Sequence, residues 1–386
     1  MTVDRRCSPR RRSQVLVAAL GAVLAIGCGA QNVVSVKPSK AAKAPIARVA
    51  LALPKGATGV ADGIATWRAG FVAVGESDGR AAVWISPDGH SWSALPSASV
   101  THDAGAAREV MTSLVAGQAS LVGGGFLVRG ERPVAAIWSA TSPTGTWSLQ
   151  PLAGRRPSEV HGTAVTPTAT VAAGEQGRYD DADAAVWVRE TDGTWRATTD
   201  ASLSGRGRQT ISGVASSARG FVAAGSDRGI PAIWESSNGK SWHRAAIGDL
   251  GRQAGQLAAV AVRGDVAVAI GNSEDGATVW RSTRPGRWVR VSLPRSVSLD
   301  RHLNTIAFTT EFLAGGFVNH PQGNPNASIL VSRNGTSWSS MAGDPLLGGP
   351  ATQTIYGAAA DAADVAFAGA DYADGPRPVI WLLESR

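Results

Sequence analysis

The chain has 386 residues and is 44% hydrophobic, with 46 glycines and 13 tryptophans but only 7 phenylalanines and 3 tyrosines, a composition that favours a turn-rich all-β chain. Its formal net charge of +7 comes from residues 1–27 and from Lys37, Lys40 and Lys43, so the remainder is close to neutral and lacks the clustered basic residues of a nucleic-acid-binding protein. Both cysteines, Cys7 and Cys28, lie near the N-terminus, which excludes a disulfide framework or a cysteine zinc site in the rest of the chain.

Residues 1–28 are predicted to be a secretory signal peptide. Five arginines precede an apolar run from Val15 to Ile26, and small residues follow it. The run is short for a membrane span. Its end, Leu24-Ala-Ile-Gly-Cys28, resembles the lipobox of bacterial lipoproteins. The resemblance implies that the Cys28 thiol is acylated and that a lipid anchors the chain to the extracytoplasmic face of the cell membrane. An ordinary signal peptide and a released protein are the alternative.

Residues 29–45 are predicted to form a flexible tether. They are small residues punctuated by proline and by Lys37, Lys40 and Lys43, a composition that cannot build a hydrophobic core. These lysines either contact anionic lipid headgroups or remain solvated. We therefore expect the folded part to comprise residues 46–386.

The folded part contains seven copies of one unit of about 50 residues, a length typical of four-stranded β-propeller blades. Each copy includes a short apolar strand that ends in Trp, or in Leu in the sixth copy. These strands are residues 81–84, 135–138, 184–187, 231–234, 277–280, 327–330 and 378–381. In every copy a preceding strand ends at a glycine: Gly75, Gly125, Gly174, Gly225, Gly271, Gly316 and Gly369.

A tight turn and a second Trp follow the apolar strand in six copies. The first is Ser86-Pro-Asp-Gly-His-Ser-Trp92, and the others are residues 142–147, 190–195, 236–242, 282–288 and 332–338. Asp-Gly and Asn-Gly pairs between apolar strands predict a hairpin, because both residues tolerate positive φ. The turn resembles, in degenerate form, the Asp box or BNR repeat of sialidases and other secreted propellers. The resemblance implies a propeller whose active site lies on the face opposite these hairpins.

The seventh copy stops after its third strand, whereas residues 47–54, which precede the first copy, read like a fourth strand. We therefore predict an all-β, seven-bladed β-propeller of four-stranded blades, monomeric, whose last blade is closed by the N-terminal strand. Closure of this kind leaves the last blade with no missing strand.

Candidate ligand-binding residues lie on the predicted face that carries the connections between the second and third strands of each blade. We expect polar loops there at residues 176–183, 319–326 and 371–377, which supply Tyr179, Asp181, His320 and Tyr372. Alignment of the first strands on Gly63, Gly162, Gly213 and Gly357 places polar side chains at equivalent positions around the channel mouth: Asp62, His161, Ser212 and Tyr356. A water-filled channel lining is the alternative.

No metal site or cofactor is predicted. Asp180, Asp181 and Asp183 offer oxygen ligands for a hard cation, but no calcium-loop pattern surrounds them, which favours a solvated acidic loop. The histidines lack metal-ligand spacing. The sequence contains no P-loop, nucleophile elbow or HExxH motif.

Two functional hypotheses remain. The first is a non-catalytic, lipid-anchored propeller that binds a protein or glycan partner in the cell envelope. The second is a glycan-active enzyme, a sialidase-like hydrolase or a lyase, that uses the polar loops at the channel mouth. The first is favoured, because the Phe/Tyr-Arg-Ile-Pro segment that marks an active-site arginine in sialidases is absent.

Overall fold

The computed structural model describes residues 46–68, 70–152, 154, 156–248, 254–320, 323–341, 347–361 and 364–384. These residues form a seven-bladed β-propeller of antiparallel four-stranded blades, which confirms the predicted fold class. Cys28 and the predicted signal peptide and tether lie outside the described residues. In the part of the chain that is described, no helix is long and apolar enough to cross a membrane.

The strands of each blade follow one another from the central channel outwards and are termed a, b, c and d. Blade 1 contains β2 (Gly59–Trp67), β3 (Gly70–Ser77), β4 (Arg80–Ser86) and β5 (Ser93–Ala94). Blade 2 contains β6 (Arg108–Ala116), β7 (Leu121–Arg129), β8 (Arg132–Ala140) and β9 (Ser148–Pro151). Blade 3 contains β10 (Ser158–Val165), β11 (Thr170–Arg178), β12 (Asp181–Arg189) and β13 (Trp195–Ala197). Blade 4 contains β14 (Gln209–Ser217), β15 (Gly220–Asp227), β16 (Ile230–Ser236) and β17 (His243–Arg244).

Blade 5 has a fifth strand, because β18 (Ala246–Ile247) pairs in parallel with its outermost strand. Its other strands are β19 (Gly255–Arg263), β20 (Val266–Ser273), β21 (Gly276–Arg284) and β22 (Arg287–Val291). Blade 6 contains β23 (Arg301–Phe308), β24 (Phe312–His320), β25 (Gly323–Ser332) and β26 (Ser339–Ser340). Blade 7 contains β27 (Gln353–Ala360), β28 (Asp364–Asp371), β29 (Arg377–Glu384) and β1 (Ile46–Ala50). The described residues also include the short helix α1 (Arg295–Ser298) and two 3₁₀ turns, Ser97–Ser99 and Ala201–Leu203.

The ring is closed by its own N-terminal strand, as predicted. Strand β1 pairs antiparallel with β29, from Ile46 opposite Leu383 to Ala50 opposite Val379. The Arg48 side chain forms an ion pair with Asp371 in strand b of the same blade. Closure therefore joins the two ends of the folded chain within one sheet.

The hydrophobic core is divided among the seams between blades. Seven buried clusters each join two neighbouring blades, so that every seam has one. The Trp that ends strand c is buried in six blades, and three of these indoles donate to carbonyls of the d-to-a connections: Trp84 to Ala52, Trp138 to Thr101 and Trp234 to Ser202. The recurring Trp thus ties the connections to the blades.

A β-bulge in strand a explains the recurring strand-b glycine. All seven blades show the same register shift in the a–b ladder. In each blade the strand-b glycine faces the bulge so closely that an added Cβ would lie 1.9–2.0 Å from a strand-a carbonyl oxygen. No side chain fits at that distance, so these seven positions require glycine.

The strand order gives the propeller two distinct faces. The hairpin face carries the a–b and c–d turns, and the loop face carries the b–c turns and the d-to-a connections. The expectation of long b–c loops is wrong at residues 176–183, because β11 and β12 extend until only Tyr179 and Asp180 form the turn. The loop at residues 319–326 is likewise mostly paired strand. Only the connection after β28, residues 372–376, is long.

Three c–d hairpins share one internal hydrogen-bond pattern. In blade 1, Ser86 Oγ accepts from the Gly89 amide (2.8 Å), Asp88 accepts from two turn amides, and the Trp92 indole donates to the Gly89 carbonyl (2.7 Å). Blades 4 and 6 repeat the pattern at residues 236–242 and 332–338. The turn amides lower the Asp88 pKa to about 2. The polar side chains of these hairpins are thus occupied by hydrogen bonds within the turn.

Candidate binding site at the channel mouth

The bulge residues of the seven strands a line the central channel. The bulge inserts one extra residue into each innermost strand, and that residue faces the channel. The ring consists of Asp62, Thr112, His161, Ser212, Ala258, Asn304 and Tyr356. The four residues predicted from the sequence all belong to this ring.

The loop-face half of the channel is polar and the hairpin-face half is apolar. A cavity of about 400 Å³ opens on the loop-face side and is lined by Asp62, Thr112, Ser212, Gln256, Ala258, Asn272, Asn304 and Tyr356. The other mouth holds about 450 Å³ and is lined mainly by alanine, valine and other apolar side chains of the same strands. The loop-face mouth therefore offers a polar ligand more side-chain partners than the hairpin-face mouth, where Thr66, Thr163 and Ser216 are the polar side chains.

Glycines beside the ring allow the inner strands to approach one another. An added Cβ on Gly357 would lie 2.6 Å from the Asp62 carbonyl oxygen of the next blade. The corresponding distance from Gly162 to the Val214 amide nitrogen is 3.0 Å. The sequence marker used to align these strands thus reflects close backbone contact at the channel.

Part of the ring is engaged in holding neighbouring blades together. Thr112 Oγ donates to the Val160 carbonyl of the next blade (2.6 Å), and Asn304 Nδ2 donates to the Ile355 carbonyl of the next blade (2.8 Å). His161 Nδ1 makes the equivalent bond to the Ile211 carbonyl (3.0 Å). These three side chains link blades, so their contribution to ligand binding is limited to their remaining polar atoms.

A cluster of tyrosine, acidic and arginine side chains lies where blades 7, 1 and 2 meet. The hydroxyls of Tyr356 and Tyr372 are 2.9 Å apart and share a hydrogen bond. Burial raises the pKa of Tyr372 most, its interaction with Tyr356 raises it further, and the negative charges of Asp62 and Glu76 add smaller increases. Glu76 forms a bidentate ion pair with Arg108 of blade 2, with Nε–Oε2 at 2.7 Å and Nη2–Oε1 at 2.5 Å. We term these five residues the acidic corner.

Asp62 in the acidic corner has a pKa far above the ordinary value of an aspartate. Burial raises its pKa to about 7, with a further increase from the negative charge of Glu76 and an opposing effect from Arg108. Near neutral pH its carboxyl is therefore protonated in a large fraction of molecules, and in that form it donates as well as accepts hydrogen bonds.

A second group of charges surrounds His161 across the channel. Burial lowers the pKa of His161, but the nearby carboxylates of Glu159 (3.4 Å) and Glu175 raise it more, so the net shift is upward. Glu175 also forms a bidentate ion pair with Arg208, which is equivalent in position to the pair of Glu76 with Arg108. Tyr179 is 79% exposed and stacks on the Arg208 guanidinium at 4.3 Å.

The structure brings together some predicted site residues and separates others. Asp62, Tyr356 and Tyr372 meet in the acidic corner, with His161 in the same ring. Tyr179 and Asp181 lie further out on blade 3, where Asp181 Oδ1 accepts from the Gly207 amide (3.2 Å). His320 lies on blade 6 and contacts Asn326. These three residues do not line the channel cavities, and neither does Tyr372, which reaches the channel wall through its hydrogen bond to Tyr356.

The aspartates beside the b–c turn of blade 3 do not form a metal centre. Asp183 is paired with Arg156 at 2.9 Å, and Asp181 faces a backbone amide. Among the residues that the structure describes, no three His, Cys, Asp or Glu side chains are placed to hold a metal ion together.

Sequence reasoning missed three ring members and both charged partners of Asp62. Thr112, Ala258 and Asn304 are not followed by glycine, which was the alignment marker. The strand-b glycine is a better marker, because the ring residue precedes it by 13 positions in six blades and by 12 in blade 6. Glu76 directly follows such a glycine, but its pairing with Arg108 depends on the contact between blades.

Comparison with known proteins supports the fold alone. No protein-family model matches the sequence, and no curated protein matches it. The structure is similar to the phage phi92 endosialidase, with a TM-score of 0.51, 11% identity and coverage of 89% of this chain and 70% of that one. It is also similar to a protein of unknown function from Dyadobacter fermentans, with a TM-score of 0.50, 11% identity and coverage of 88% and 99%.

A Trypanosoma rangeli sialidase gives a TM-score of 0.47 at 11% identity. That match covers 73% of this chain but only 57% of the sialidase, so the chain spans little more than half of its length. The phage endosialidase match thus supports a shared fold at low identity.

Proposed function

We propose that this chain is a non-catalytic, lipid-anchored extracytoplasmic β-propeller that binds an uncharged glycan at the loop-face mouth of its channel. The observation that carries the proposal is the convergence of unlike polar groups on one cavity: Asp62 and Tyr356 of the acidic corner, the hydroxyl of Ser212 and the amides of Gln256 and Asn304. Tyr372 supports this wall from behind through its hydrogen bond to Tyr356. Hydroxyl, amide and carboxyl groups of this kind are complementary to the hydroxyl groups of sugars.

The charge balance of the mouth favours an uncharged ligand over an acidic one. Arg108 and Arg208 are the arginines beside the ring, and each is held by a bidentate bond to a glutamate. Each guanidinium charge is thus already balanced by a glutamate, with which a ligand carboxylate would have to compete. Glu76, and Asp62 in its ionised form, would also repel an acidic sugar.

The proposal also assigns roles to Cys28, to residues 29–45 and to the c–d hairpins. Cys28, at the end of the signal-like segment, is its lipid attachment site, and residues 29–45 connect the lipid to the propeller. The c–d hairpins are degenerate Asp boxes whose polar residues are committed to the turn, which supports an architectural role. Labelling of the expressed chain with a radioactive fatty acid tests the anchor, and Cys28→Ala should abolish the label.

The binding proposal is tested by exposing the full chain to an array of neutral, basic and acidic glycans. We expect retention on neutral oligosaccharides and its loss in Tyr372→Phe, which removes one hydroxyl of the tyrosine pair. Tyr179→Phe, on the exposed rim of blade 3, is the matched control and should bind like the wild type. Retention on acidic glycans alone, or equal binding by all three chains, would count against the proposal.

A glycan-active enzyme remains the second candidate, and one observation favours it. Asp62, with a pKa of about 7, lies in the range expected of a general acid, and Glu76 and the tyrosine pair are its neighbours. If the chain is an enzyme, it should release product from a neutral glycan, and Asp62→Asn should abolish turnover while leaving glycan binding measurable.

A further inference from the structure

The c–d hairpin of blade 5 concentrates positive charge. It carries Arg281, Arg284, Arg287 and Arg290, and residues 276–299 contain no acidic residue. Arg284 and Arg287 face each other across the turn, in register at the start of the ladder between β21 and β22. Two like charges placed directly opposite each other repel unless an anion lies between them or beside them. We term this segment, residues 281–290, the arginine hairpin.

Among the described residues, no anion is paired with the guanidinium groups of Arg284 and Arg287. Both side chains are exposed, and neither guanidinium takes part in a salt bridge or hydrogen bond in the described part of the chain. Arg281 Nε donates to the Asn334 carbonyl (2.9 Å). The carboxylate of Glu235 is bound to the backbone of the turn and to the indole beside it: it accepts from the Gly286 amide (2.8 Å) and the Trp288 indole (3.0 Å).

The space around the turn glycine of the arginine hairpin is open, although the Gly286 amide contacts Glu235 of the preceding blade. In blades 1, 4 and 6 the turn glycine lies against the preceding blade, and an added Cβ would meet Leu382, Val171 or Val268 at 2.6–2.9 Å. The equivalent Gly286 has nothing within 4 Å of its Cβ position. A cavity of about 170 Å³ remains open in the seam beside it, with Phe221 and Trp288 in its wall. The tip of the hairpin is therefore accessible to a large surface.

The face on which this hairpin lies is the face where the N-terminal strand begins. Ile46 opens β1 opposite Leu383, near the end of β29, which runs towards the hairpin face. The tether proposed above therefore joins the propeller on the hairpin face. The polar channel mouth lies on the opposite face.

We propose that the arginine hairpin docks on the anionic surface of the membrane that holds the lipid anchor, so that the loop-face channel mouth points away from the bilayer. The inference rests on the anchor of the proposed function. Guanidinium groups bind phosphate groups of lipid headgroups bidentately, and each basic residue near an anionic membrane raises its affinity by about fivefold. Charge complementarity and the shared face both favour this partner over a soluble one.

The test uses the full chain purified from bacterial membranes and reconstituted on phosphatidylcholine vesicles with or without phosphatidylglycerol. We expect slower amide hydrogen exchange at residues 281–290 only on vesicles that contain phosphatidylglycerol. Arg284→Gln combined with Arg287→Gln should abolish the protection. The matched control, Arg178→Gln with Arg206→Gln, removes two exposed arginines of the loop face and should retain it.

A second arm separates docking from anchoring. Unlipidated Cys28→Ser protein should sediment with phosphatidylglycerol vesicles, and the double substitution in the hairpin should weaken that binding by about 25-fold. Failure of the wild type to attach to pure phosphatidylcholine would refute the anchor alone. Equal protection on both vesicle types, protection of the channel mouth instead, or binding of the hairpin to soluble polyphosphate but not to vesicles would overturn the docking proposal.

Discussion

At the residue scale, the chemistry of the channel mouth depends on contacts that are distant in sequence. The burial that raises the Asp62 pKa arises from the inner strands of several blades, and Glu76 and Arg108 reach Asp62 from strand b and from the next blade. The ring position of Asp62 could be predicted from the glycine that follows it. Its protonation could not, because no local pattern in the sequence encodes the surroundings of the carboxyl.

The raised pKa of Asp62 predicts how stability changes with pH. Between the ordinary pKa of 3.8 and the folded value of about 7, the folded state binds a proton that the unfolded state has released. Raising the pH through that range therefore lowers the free energy of unfolding, by on the order of 4 kcal/mol, and the loss is complete above the folded pKa.

Asp62→Asn removes this pH-dependent loss of stability, because asparagine does not ionise, and it keeps the shape of the side chain. In thermal unfolding followed by circular dichroism, the variant should melt above the wild type at about pH 8 and close to it at about pH 4. A constant difference between the two melting temperatures across this range would show that Asp62 does not titrate as described.

At the element scale, the strand-b glycines are the repeat signal with the clearest physical cause. Their recurrence was visible in the sequence, but the β-bulge that they face was not, because a bulge leaves no residue of fixed identity in strand a. The b–c connections at residues 176–183 and 319–326 were expected to be loops, and that expectation was wrong for a related reason. Polar residues such as Gln176 and Asp183 continue the strand pairing at the exposed edge of the blade.

Gly225→Ala should be strongly destabilising, since its Cβ would lie 1.9 Å from the Thr210 carbonyl oxygen. We expect a loss of more than about 3 kcal/mol in urea-induced unfolding. Gly323→Ala is the control, because its Cβ would make only an ordinary contact at 3.6 Å, and its effect should stay within about 0.5 kcal/mol. Similar losses in both variants would refute the steric account of the bulge.

Two glycines of the c–d hairpins, Gly239 and Gly286, form a matched pair. Comparing their substitutions by alanine measures how much steric contact with the neighbouring blade adds to the cost. Gly239 and Gly286 have nearly equal φ values of 77° and 73°, but only the Gly239 Cβ would collide with another blade, at 2.6 Å from Val171. Gly286→Ala should cost about 1 kcal/mol through backbone strain alone. Gly239→Ala should cost about 2 kcal/mol more. Equal costs, measured by chemical unfolding, would show that the hairpin does not press on the neighbouring blade.

At the scale of the whole molecule, the seven repeats and the missing fourth strand were enough to predict a closed propeller. The closure is a topological consequence of strand count and needs no knowledge of side-chain packing. The two channel halves could not be predicted, since their polarity depends on which strand positions face inwards after the bulge.

Deletion of residues 46–54 should destabilise the entire ring. It removes β1, the ion pair of Arg48 with Asp371 and the carbonyl of Ala52 that the Trp84 indole contacts. We expect the melting temperature to fall by about 10 °C or more. Deletion of residues 30–38 from the proposed tether is the control and should leave it unchanged. If the chain without residues 46–54 melts like the control, the closing strand has no role in stability.

The central claim, that the acidic corner of the channel mouth is the binding site, is tested most directly by titration calorimetry. The probe is the neutral oligosaccharide that binds best on the array, with sialyllactose as the acidic comparison. The wild type should bind the neutral probe, Tyr372→Phe should bind it at least about tenfold more weakly, and neither should bind sialyllactose. Unchanged affinity in Tyr372→Phe, or stronger binding of sialyllactose by the wild type, would contradict the account.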